Sequence, residues 1–146
     1  MIAKSACPAA KAVLKQATAL FPKRNKLSDG LLPSAAHQLQ NPTSDHNTGF
    51  AVDLTYDPDN GVVCNVFFTL LQKDPRVKYL IFKGRIWSPE KGVHKYDGPN
   101  QHNHHLHISI KDTAGNDTRS WFPWLGKPTA INKLKASVPK PLPKKG

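Results

Sequence analysis

Cysteine and glutamate are scarce in this chain, and each shortage removes a class of protein. Two cysteines in 146 residues, Cys7 and Cys64, exclude a disulfide-dense scaffold and a four-cysteine zinc ribbon. No apolar run approaches the ~20 residues of a bilayer-crossing helix, so no membrane span is expected. Residues 1–12 carry lysines but no sustained apolar stretch, so no secretory signal is expected and synthesis is placed in the cytoplasm. Nine of the ten acidic residues are Asp, which leaves Glu90 as the single candidate for any mechanism that needs a Glu.

Positive charge is abundant instead. Lys and Arg number 21, for a net charge of +11, which favours polyanionic surroundings: nucleic acid, anionic lipid or an acidic cell wall. An apolar content of 38% is too high for a disordered chain, and the length suits one domain. After Gly126 the composition turns to Lys, Pro and small residues. This divides the chain into a folded domain at 1–126 and a basic, extended tail or linker at 127–146.

Hydrophobic spacing gives the elements. Val13, Ala17 and Leu20 recur at helical spacing between Pro8, suited to a first turn, and Pro22, which stops the run. Residues 23–48 read as loop. Residues 50–56 alternate as a strand, with Phe50, Val52 and Leu54 toward the core and Asp53 on the opposite face. Residues 62–72 are apolar nearly all round and predict a buried helix. Two short strands are expected at 77–82 and 85–88, joined at Lys83-Gly84, followed by polar loop at 92–103. Residues 104–111 alternate again, with Leu106, Ile108 and Ile110 on one face and His105, His107 and Ser109 on the other.

Histidine carries the chemistry. Four of seven lie at His102, His104, His105 and His107. Imidazole is the commonest transition-metal ligand and the usual acid or base near neutral pH. A second cluster runs from Ser44 to Asp53, where Gly49 permits a turn that folds His46 back toward Asp53. His46, Asp53 and His107 then offer two nitrogens and one oxygen, a set that suits Zn²⁺ and leaves a position open for water.

The pattern Ser44-x-His46-x-x-Gly49-x-Ala51-x-Asp53, followed by His105-x-His107, resembles the D-alanyl-D-alanine carboxypeptidase and L-alanyl-D-glutamate endopeptidase family. These are zinc peptidases of bacterial cell-wall peptides, and many phage endolysins belong to them. The segments 74–82 and 85–88 are similar to phage members, and the resemblance covers about residues 28–111. It implies an α+β, hedgehog-like fold in which a small antiparallel sheet, flanked by helices, carries the site. It also implies His46, Asp53 and His107 as zinc ligands, and hydrolysis of the peptide part of peptidoglycan through a zinc-activated water. Many members have Glu or Asp three residues before the last zinc His, as catalytic base. Here that residue is His104, and His105 is the residue expected to act on the oxyanion or as acid/base.

Wall peptides carry carboxylates, so a cationic grip is expected. Arg85 is the first choice, since its fork can take a carboxylate with two bonds, and Arg76 and Lys83 are further candidates. Tyr96 and His102 precede the histidine strand and are expected to line the cleft. The expected partners are peptidoglycan peptides and, by charge, anionic envelope polymers at the bacterial wall. Specific nucleic-acid binding is not expected, and the protein is expected to be a monomer. Two rival classes stand beside this one: a metal-dependent nuclease, from the His102-Asn103-His104 triplet and the charge, and a catalytically silent zinc-binding module. The bond cut and a Cys7–Cys64 bridge are left open by the residues.

Overall fold

Strands that are apolar on one side and polar on the other pair so that like faces coincide. The computed structural model describes residues 5–33, 43–98 and 101–125. Within them β1 (Ala51–Thr55), β2 (Val77–Phe82), β3 (Arg85–Ser88), β4 (Gly92–Lys95) and β5 (His105–Ile110) form one antiparallel sheet in the order β1-β5-β2-β3-β4. Val52 faces Ile108 across the β1–β5 pair, Asp53 faces His107, and Leu54 faces Leu106. Val52, Leu54, Leu80, Phe82, Leu106, Ile108 and Ile110 share one buried face.

Helix α1 (Pro8–Leu20) covers that face with small residues, Ala9, Ala10, Val13 and Ala17, which let it lie close to β1. Helix α2 (Cys64–Leu70) adds Phe67 and Phe68 and runs on into a 3-10 turn at Leu71–Lys73. Trp121, Phe122 and Leu125 close the core, and the Trp121 indole N–H donates to the Ala9 carbonyl at 2.9 Å. The chain is thus a small α+β protein with one five-stranded antiparallel sheet and, among the described residues, two α-helices.

Two expectations are corrected, and a third gains detail. The second helix begins at Cys64 rather than residue 62, because Val62 is held in a bridge to Asp57. Residues 92–95, read as loop, are the edge strand β4: with one neighbouring strand and the single apolar residue Val93, 48% exposed, they have no buried face to produce alternation. Part of the 23–48 loop is tied down. Buried Arg24 grips Asp29 with two bonds, at 3.0 and 2.8 Å, and Asp29 accepts from the Thr55 hydroxyl at 2.6 Å and from the Thr55 amide at 3.1 Å. Both cysteines are free thiols, and Cys64 is a buried core residue. The tail expected at 127–146 lies outside the described residues.

Arg76, a candidate grip for substrate, serves the fold instead. Its buried guanidinium takes both Asp74 oxygens, at 3.0 and 2.7 Å. It also donates to the carbonyls of Asp117, Arg119 and Ser120, and lies 3.7 Å over the Trp121 ring. Removing it orphans an acid and three carbonyls that fasten the C-terminal segment. Arg76→Ala is expected to cost about 3 kcal/mol of unfolding free energy or more, read from the urea midpoint. A loss below about 1 kcal/mol contradicts this role.

Candidate metal centre

The face of the sheet away from the core carries the polar alternates. Asp53 in β1 and His107 in β5 are directly opposed, so their side chains leave the same face as close neighbours. His46 arrives on a 3-10 turn, Asp45–Thr48, whose start is capped by Ser44 Oγ accepting from the His46 amide at 3.3 Å. Gly49 then turns the chain back into β1 with φ of 80°, and a Cβ there would meet the Ser5 carbonyl oxygen at 2.8 Å. Glycine is required by both conformation and space.

The result is a convergence on one atom. Asp53 Oδ1 lies 3.2 Å from His46 Nε2 and 3.2 Å from His107 Nδ1. The far nitrogen of each ring is also held. His46 Nδ1 is 2.8 Å from the Leu31 carbonyl, and His107 Nε2 is 2.7 Å from Ser109 Oγ. A carbonyl only accepts, so His46 Nδ1 carries the hydrogen. Neutral His46 therefore points the Nε2 lone pair at a carboxylate oxygen, which is repulsive unless a proton or a metal cation lies between them. Zinc bonds of about 2.0–2.2 Å at tetrahedral angles set ligand atoms about 3.3 Å apart. The donor spacing and the donor chemistry both fit a divalent ion.

The electrostatics agree. Burial pushes the Asp53 carboxyl up, but the hydrogen bonds and charges of His107 and His46 outweigh it and hold the group well below the usual carboxylate range. Burial pulls His46 down, and Asp53, joined by the Leu31 carbonyl and the charge of Asp45, more than compensates, leaving it raised above its ordinary 6.5. His105 is lowered by burial, against the pull of Asp53. Tyr79 stacks on the His107 ring at 5.3 Å, and burial pushes its hydroxyl up to about 12.

His46, Asp53 and His107 are one of two groups among the described residues that can hold a metal ion; Asp53, His102 and His105 are the other. His105 Nε2 sits 3.5 Å from Asp53 Oδ2. Of the residues expected to act as ligands, acid/base or first-choice grip, His46, Asp53, His105 and His107 meet here and Arg85 does not. Arg85 pairs with Phe82 and shares its face, and its guanidinium lies 5.8 Å over the Phe68 ring on the core side. A substrate at the histidines is on the other side of the sheet, so the grip assigned to Arg85 is withdrawn. Lys83 rests 4.6 Å over the Tyr56 ring. His104 is exposed and lies outside β5, while the His102 and Tyr96 rings are 5.6 Å apart beside the site.

Leu31, Tyr79, Asp29 and Gly30 were missed, and Ser109, which strand parity places on the histidine face, was given no role. Gly30 pairs with Asp53 through two backbone hydrogen bonds, at 3.1 and 2.8 Å, a contact between distant segments that no local pattern announces. Compared with models of protein families, with curated proteins and with solved structures, the chain has no match in any of the three.

Two outcomes are expected. Asp53→Ala and His107→Ala abolish tight zinc binding in calorimetric titration, whereas Ser109→Ala, which frees only the far side of His107, weakens it about 10- to 100-fold. Unchanged affinity in Ser109→Ala contradicts the positioning role. In metal-free protein, the depressed Asp53 contributes stability above its ordinary 3.8 that is lost as pH falls below it. The raised His46 contributes stability that is full below 6.5 and lost as pH rises through its folded value. His105, lowered from 6.5 by burial, works against the His46 limb, so the Asp53-dependent part of the stability, wild type minus Asp53→Asn from urea midpoints, is the quantity that should peak between 3.8 and 6.5.

Proposed function

We propose that this protein is a zinc peptidase acting on the peptide part of bacterial peptidoglycan, with the hedgehog-like peptidase fold that the sequence resemblance implies. One observation carries the reading: two imidazole nitrogens and one carboxylate oxygen converge on the polar face of a sheet whose other face is the core. His46 Nε2, Asp53 Oδ1 and His107 Nδ1 would hold the ion. Zinc in such a set supplies a Lewis acid and a water acidified toward neutral pH.

The remaining work belongs to the chain. Leu31 and Ser109 fix the two rings, so the ligand nitrogens need no reorientation. His105, lowered by burial, is neutral at pH 7, and its Nε2 makes no hydrogen bond. It is free to donate a hydrogen bond to a developing oxyanion, or to take up the proton of the attacking water and hand that proton on to the leaving amine. Tyr79, held protonated, keeps one wall of the site rigid against His107. The net charge of +11 concentrates the protein at anionic wall polymers.

A second reading, a zinc-binding module without catalysis, is favoured by one observation: Asp53 is the only carboxylate in either ligand group. Mass spectrometry of a defined muropeptide separates the two. The peptidase reading predicts cleavage that stops with chelator and returns with zinc. It also predicts a fall in kcat of about 10²- to 10⁴-fold in His105→Ala with zinc still bound. Zinc bound by the wild type with no product at any bond would decide for the silent module.

A further inference from the structure

The Asp53 carboxylate has two oxygens, and the first ligand group uses one. Its Oδ2 faces His105 Nε2 at 3.5 Å, too far for a hydrogen bond, and that buried nitrogen makes none elsewhere. His102 stands beside His105 and His107. Its ring centroid is 5.0 Å from that of His105 and 5.4 Å from that of His107. One ligand atom each from Asp53, His102 and His105 falls within 4.8 Å of the others. The backbone at His102 supports this placement at a cost, with φ of 57° in the left-handed region, and its carbonyl is pinned by the Lys83 amide at 3.1 Å. Such conformations gather at ligand sites, where neighbouring structure holds them.

We propose that Asp53, His102 and His105 form a second metal position, bridged to the first by the Asp53 carboxylate. The proposal rests on the metal centre described above and goes beyond it. Its ligands are two imidazoles and one carboxylate oxygen, a set for a borderline first-row dication such as Zn²⁺, Co²⁺ or Cu²⁺. Carboxylate-bridged ions stand about 3.5–4 Å apart. Two dications at that distance repel, so the second binds about 100-fold more weakly or worse. An ion there occupies His105 Nε2, the nitrogen assigned to the oxyanion or the proton. The two uses exclude each other, so the doubly loaded protein has no free group at that position.

The test is a titration of the metal-free full chain with Co²⁺, followed by calorimetry and by visible absorption. Two equivalents are expected, in a tight and a weaker step. The double variant His102→Ala/His105→Ala should retain the tight step within a few-fold and lose the weaker one. Saturation of the wild type at one equivalent overturns the second position and leaves the first standing. Two equivalents in the double variant also overturn it. No bound ion at all overturns the metal centre, and this position with it. A second readout needs no variant. Wild type loaded with two equivalents of Cu²⁺ should give a spin-coupled electron paramagnetic resonance spectrum, and two uncoupled signals contradict the shared carboxylate.

Discussion

A single carboxylate oxygen, Asp53 Oδ1, receives two imidazole nitrogens at 3.2 Å each, and the arrangement of the site follows from that constraint. Both rings are anchored at their other nitrogen, so neither can turn away to relieve the encounter. In an environment largely closed to water, the His46 Nε2 lone pair facing the carboxylate needs positive charge between them. A proton on His46 supplies it in the metal-free protein, and a divalent ion supplies it better because it satisfies all three donors at once.

The sheet makes the convergence inexpensive. The same strands that bury Val52, Leu54, Leu106 and Ile108 present Asp53, His105 and His107 on the opposite face, so the core and the site share a scaffold without sharing residues. The antiparallel register aligns Asp53 with His107. The third ligand comes from outside the sheet and needs its own support. Gly49 turns the His46 segment into β1, and the Arg24–Asp29–Thr55 network holds the preceding chain against β1, near Leu31. Charge pairs that would contribute little at the surface matter here because Arg24 is buried.

Much of this was legible in residue order. Period-two alternation around Asp53 and His107 gave the polar face, and Gly49 after His46 gave the return of the third ligand. What stayed hidden depends on contacts between distant segments. Pairing of Gly30 with Asp53 and acceptance by the Leu31 carbonyl leave no trace in local pattern, since a backbone carbonyl is offered by every residue. Arg85 shows the opposite failure. Its charge suggested a substrate grip, but which face it occupies depends on strand register, and pairing with Phe82 turned it to the core side. Edge strand β4 escaped because an edge needs no alternating apolar face.

The central claim is that one ion sits between His46, Asp53 and His107, and an anomalous difference map from crystals grown with zinc measures it most directly. The predicted result is a zinc peak bonded to His46 Nε2, Asp53 Oδ1 and His107 Nδ1 at about 2.0–2.2 Å. A map with no peak there at saturating zinc, and with both rings hydrogen-bonded directly to the carboxylate, would contradict it.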